Sequence, residues 1–156
     1  VRPSSRLELA LVPRAADAPV EVGERLRDGW LTEGVLGPDG GPGPRADDLV
    51  AGGFRGWRLD RPDRLTLYAN RQGGFGVRCP VHDAPIVPAF VAAWSRSRER
   101  DEVPVVPCPA CGETHPGAAL RFRPDAAFGR WALQLWGVET ATLAPGAAAR
   151  WPGLAA

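Results

Sequence analysis

"RCPVHDAP", residues 78–85, sets a cysteine, a proline and a histidine within four positions of a 156-residue chain that holds three cysteines and two histidines. A second stretch, "PCPACG" at 107–112, has the same form. Cys79-Pro-Val-His82 and Cys108-Pro-Ala-Cys111 each put two residues between metal-ligand side chains, follow a strand-like segment and carry Pro after the first Cys. Two intervening residues let one tight turn aim both side chains at a single ion, and the N–H groups that follow can donate to the thiolates. Gly112 supplies the positive φ such a turn often needs. Two turns give four donors, the tetrahedral complement of structural zinc. The expectation is one zinc ion per chain, held by Cys79, His82, Cys108 and Cys111. His115, four residues past Cys111, is the competing nitrogen. The matched spacing favours His82 and leaves His115 a supporting hydrogen bond behind the ligands.

The elements are read outward from these turns. Strand candidates are "RLELALV" (6–12), "GFRGWRL" (53–59), "LTLYAN" (65–70), "GGFGVRC" (73–79), "VPVVP" (103–107) and "ALRFR" (119–123). Turn chemistry at 70–74 predicts that 65–70 and 73–79 pair as a hairpin leading to Cys79. Val22, Leu26 and Trp30 recur every four residues, predicting a helix that starts near Pro19 and stops at Gly34. A second helix is expected over 86–98, burying Phe90, Val91 and Trp94. A third is expected after Asp125, where Phe128, Trp131, Ala132, Leu135 and Trp136 form an apolar stripe ending at Gly137. Residues 34–44 hold five Gly and three Pro and read as a loop, extended here to 34–52. The tail after 144 is rich in Ala, Gly and Pro and reads as loosely ordered.

The C-P-x-C-G turn at 108–112 resembles the knuckle of zinc ribbons, and the resemblance covers roughly residues 75–123. The wider pattern, "YANRQGGFGVRCP" through "FRPDAAFGRWAL", is similar to small uncharacterised zinc-ribbon proteins of GC-rich bacteria. The resemblance implies a metal-stabilised turn pair and no particular activity. The expected fold is α+β, a small antiparallel sheet with two to three packed helices and an embedded zinc ribbon carrying a helical insertion between its knuckles. Residues 1–156 are read as one domain.

Several chemistries fail on specific residues. Zinc deaminases need H-x-E followed by P-C-x-x-C; here Ala84 stands where the general acid/base Glu is required. Catalytic zinc needs an open position and a nearby acid or base. The close carboxylates, Asp83 and Glu113, read as solvated loop charges. A redox Cys-x-x-Cys sits at a helix N-terminus, whereas "GETHPG" follows Cys111 and reads as turn. No P-loop, GxSxG, GxGxxG or HExxH is present. No catalytic residue is assigned and no enzyme is expected.

Composition leaves binding. The 44% hydrophobic and 24% charged fractions suit a globular core, and a net charge of +1 gives no global signal for nucleic acid or membrane. No apolar run approaches the ~18 residues of a membrane helix. Three cysteines, two of them in Cys-x-x-Cys, suit metal binding in a reducing cytoplasm. The first residue is Val1 rather than Met, so a missing native start is expected. Six Trp are many for this length, and Trp131 or Trp136 is expected at an interaction surface. A protein partner is therefore the first reading. Nucleic acid is second, because residues 54–100 hold nine Arg against four acids. Its contacts would be Arg55, Arg58, Arg71, Arg78, Arg96 and Arg98. The interleaved Asp60, Asp63 and Glu99 predict that these six do not share one face.

Overall fold

A computed structural model describes residues 7–69, 74–151 and 154–155. The chain packs as two compact units, Val1–Arg61 with Arg130–Ala156, and Pro62–Gly129. The second is one continuous segment that lies, in sequence, between the two segments of the first. The elements are α and β mixed, in small antiparallel sheets.

In the first unit, β1 (Leu7–Pro13) and β2 (Gly56–Asp60) flank β9 (Ala132–Val138), and the short β10 (Leu154–Ala155) adds to the far side of β1. Alternation puts Leu9 and Leu11 of β1 and Leu133 and Leu135 of β9 into the core. α1 (Val20–Thr32) packs against β2 and β9. Its four-residue period turns Trp30 fully inward, with Val22 and Leu26 partly buried beside it. Gly23 lies so close over the Trp131 ring that an added Cβ would sit 2.7 Å from it.

The Gly/Pro-rich loop belongs to this core. Val35, Leu36, Leu49 and Val50 are buried, and the Trp57 indole N–H donates to the Gly37 carbonyl at 2.9 Å. The tail after 144 is tied down too. The Ala144 N–H donates to the Leu49 carbonyl at 2.8 Å, and Trp151 meets Trp30 edge-on at 5.0 Å.

The helix expected after Asp125 is absent. Residues 125–137 form instead β8 (Ala127–Gly129) and β9. The apolar stripe that suggested a helix straddles the two units: Phe128 is buried in the second, Trp131 and Leu135 in the first. β9 is the strand between β1 and β2, and pairing along both edges satisfies its backbone while alternation buries Leu133 and Leu135. Gly137 is a bulge rather than a helix end. Leu7 pairs with Val138 and Glu8 with Trp136, which leaves Gly137 as the extra residue, at φ 69°. The bulge resets the alternation and brings Val138 into the core.

The second unit is built of three two-stranded ladders and α2 (Val87–Arg100). β3 (Thr66–Tyr68) pairs with β8, β4 (Gly76–Arg78) with β7 (Arg121–Arg123), and β5 (Val105–Pro107) with β6 (Thr114–Pro116). The expected hairpin between 65–70 and 73–79 does not form among the described residues, which exclude 70–73. Each of its strands pairs with a later one instead. That exchange gathers Phe75, Phe90, Phe122 and Phe128 into one aromatic cluster, with centroids 5.4–6.4 Å apart.

Candidate metal centre

Both cysteine turns have the same backbone. In the first, the Cys79 N–H donates to the Ala84 carbonyl at 2.8 Å and the Asp83 N–H to the Cys79 carbonyl at 3.0 Å. In the second, the Cys108 N–H donates to the Glu113 carbonyl at 2.8 Å and the Gly112 N–H to the Cys108 carbonyl at 2.9 Å. Each turn places its fifth residue in the left-handed region, Asp83 at φ 51° and Gly112 at φ 76°. Glycine reaches that region freely, and Asp is among the side chains that tolerate it best. The first turn leaves β4 and returns through a bridge between Arg78 and Pro85; the second joins β5 to β6.

These turns bring Cys79, Cys108 and Cys111 together, with His115 beside them. One donor atom from each lies within 4.8 Å of all the others. Sγ of Cys79 and Cys111 are 3.9 Å apart, and His115 Nε2 is 3.1 Å from Cys111 Sγ and 3.9 Å from Cys79 Sγ. A tetrahedral zinc ion with ordinary Zn–S and Zn–N bonds requires edges of about 3.8 Å between sulfurs and about 3.5 Å from sulfur to nitrogen. The separations among Cys79, Cys111 and His115 are close to these edges. The cysteines are free thiols, far beyond disulfide length.

The histidine in the cluster corrects the sequence reading. His82 occupies the turn position expected of the fourth ligand, but its side chain is exposed and outside the cluster. His115 takes that place because "GETHPG" is not all turn: Thr114–Pro116 is the returning strand β6, paired with β5. His115 stands opposite Val106, and both strands bury only their middle residue. Spacing reports where a turn holds its backbone. The alternation of β6, which points His115 inward, was the signal that would have found it.

Electrostatics distinguish the thiols. The Cys79 thiol is lowered from 9.0 to about 6, chiefly because the His82 N–H donates to its sulfur, with the Val81 N–H assisting against burial. The Cys111 thiol is raised: the Glu113 N–H favours its thiolate, but burial and the neighbouring Cys108 and Cys79 outweigh that bond. Three sulfurs this close cannot share negative charge without a cation, which is the condition a divalent metal relieves.

No carboxylate of the described residues joins the cluster. Asp83 turns to a trio of arginines, at 3.2 Å from Arg78 and 3.7 Å from both Arg121 and Arg123. Glu113 is exposed.

Comparison with protein-family models, curated proteins and solved structures finds no match to this chain. Trp131 is buried in the core of the first unit. Trp136 is 39% exposed and lies across Gly56, its directly paired neighbour on β2. It borders a shallow depression with Glu8, Arg58 and Gln134. Arg55 and Arg58 fall in the first unit, and Arg58 donates to Gln134 at 2.6 Å. Arg78, Arg96 and Arg98 fall in the second, with Arg98 6.0 Å from the Trp94 ring centre; Arg71 lies outside the described residues. The arginines that do converge are Arg78, Arg121 and Arg123. "RFR" at 121–123 already announced two of them on one strand face. No helix among the described residues is long and apolar enough to cross a membrane.

Proposed function

We propose that this chain is a non-enzymatic zinc protein that works by binding another protein. In this reading it resembles a zinc ribbon whose two knuckles are the turns at Cys79 and Cys108. Cys79, Cys108, Cys111 and His115 hold one zinc ion, and the observation that carries the reading is that one donor atom from each lies within 4.8 Å of all the others. Four protein ligands leave no position for substrate or a reactive water, so the ion ties the β4 turn to the β5–β6 hairpin and does no chemistry. A reducing compartment such as the cytoplasm keeps the three thiols available. Elemental analysis of protein purified without added metal should give about one zinc per chain. Folded protein that neither contains nor takes up zinc would refute the reading.

A protein partner is favoured by the half-exposed Trp136, an amphipathic ring of the kind enriched at interfaces, beside the hydrogen-bonded Arg58 and Gln134. A nucleic-acid partner is the second reading. It rests on Arg121 and Arg123, which share one Asp83 carboxylate with Arg78 and keep donors to spare. Affinity capture from native extract, with and without nuclease, separates the two. A partner retained after nuclease, and lost on Trp136→Ala, supports the first. Capture abolished by nuclease, together with gel shifts lost on Arg121→Ala and weakened by salt, supports the second.

A further inference from the structure

Cys79, Cys108, Cys111 and His115 form the cluster, and His82 lies outside it, in the turn that begins at Cys79. We propose that His82 is an exchangeable ligand of the same ion, so that Cys79, Cys108 and Cys111 hold the metal with either His115 or His82 as the fourth donor. This rests on the metal reading above and adds to it.

The backbones of the two turns match. The two turns share both their hydrogen bonds and the left-handed residue that closes them. His82 therefore holds in its turn the place that Cys111 holds in the other, and Cys111 contributes Sγ to the cluster. The His82 N–H already donates to the sulfur of Cys79, so its main chain is set against the ligand sulfur. Asp83, the next residue, is held by Arg78, Arg121 and Arg123. The turn thus has the shape of a ligand-bearing knuckle without using its second ligand. In the first turn the exchange asks for rotation about the side-chain bonds of His82. No side-chain hydrogen bond or ion pair among the described residues opposes that rotation, and the ring starts in solvent.

His115 meets the sulfurs through its side chain and is held in its strand through its main chain. Its strand pairing is through main-chain atoms opposite Val106, and its imidazole alone reaches the sulfurs. Exchange leaves the Cys₃His donor set intact. What changes is the surface, because His82 leaves solvent beside Val81, which is 58% exposed.

Cobalt(II) reports the donor set by its visible bands and by sulfur-to-metal charge transfer. Wild type, His82→Ala, His115→Ala and the double variant are titrated in parallel. Wild type and His82→Ala should each bind one equivalent with a tetrahedral spectrum. His115→Ala should do the same, at reduced affinity, because His82 takes over. The double variant should bind more weakly still, with a spectrum that responds to added imidazole. His115→Ala behaving like the double variant would overturn the proposal while leaving the metal centre standing. Wild type failing to bind cobalt would overturn both.

Should His115→Ala not fold without metal, His82→Cys is made in that background. Position 82 then completes a four-thiolate centre, and charge-transfer intensity should rise above that of wild type. Intensity no higher than three thiolates give would show that position 82 does not reach the ion, and would overturn the proposal by itself.

Discussion

Cys79 is the residue on which charge is most finely set. Folding lowers its thiol from 9.0 to about 6, so between those values the unfolded chain holds a proton that the folded chain has released. The stability of the metal-free protein should therefore rise with pH across that window and be lost as pH falls through about 6. The raised thiol of Cys111 acts in the opposite sense, above 9.0. Urea midpoints of metal-free protein at about pH 6 and pH 8 measure the slope, and Cys79→Ser should flatten it. Equal midpoints in wild type would contradict the assignment. Cys108 tests the ion itself. It is 3% exposed, and Cys108→Ser removes one of the thiolates on which the centre depends. The loss expected is above about 4 kcal/mol, a size that point substitutions reach when a metal is lost. A full melting temperature in Cys108→Ser would count against structural metal. The three cysteines were legible from spacing alone, because a two-residue gap constrains one local turn. The fourth donor was not, because the inward aim of His115 depends on β6 pairing with β5.

At the scale of elements, α1 offers a paired test of packing against propensity. Gly23 and Gly29 both lie inside the helix. An added Cβ at Gly29 meets nothing within 4 Å, so Gly29→Ala should stabilise by up to ~1 kcal/mol, the helix-propensity difference. At Gly23 the same Cβ would sit 2.7 Å from the ring of Trp131, which is 1% exposed and has no room to retreat. Overpacking of this kind costs about 1–3 kcal/mol and outweighs the propensity gain, so Gly23→Ala should destabilise. Thermal melts of the two variants against wild type decide it; shifts of the same sign would undo the packing argument. α1 was readable because its period of apolar residues is local. β9 was not: in "AAFGRWALQLWG" a helical stripe and a strand alternation coexist. The choice falls to strand because β1 and β2, distant in sequence, supply hydrogen bonds to both edges.

For the whole molecule, the division into two units predicts where metal removal acts. The four donors all lie within Pro62–Gly129, whose ladders are only three residues long at their described pairings. If the cluster holds zinc as proposed, a small unit with such short ladders would lean on that link, whose apparent contribution reaches about 10 kcal/mol in small zinc domains. The first unit has its own core of Leu, Val and Trp side chains. Chelation should therefore raise hydrogen exchange most in residues 74–122, and much less in β1 and β9. Uniform exchange along the chain, read by mass spectrometry of peptides, would show that the ion does not act on one unit. The α+β class, α1, α2 and the three clustered thiols could be read from local stretches of sequence. Each is written in residues close together along the chain, so local geometry alone carries the signal. The division into two units, the pairing of β3 with β8 and β4 with β7, the strand β9, and the presence of His115 rather than His82 in the cluster came only with the fold. Those depend on which distant segment supplies the backbone partner, and a strand's partner sets which way its side chains face.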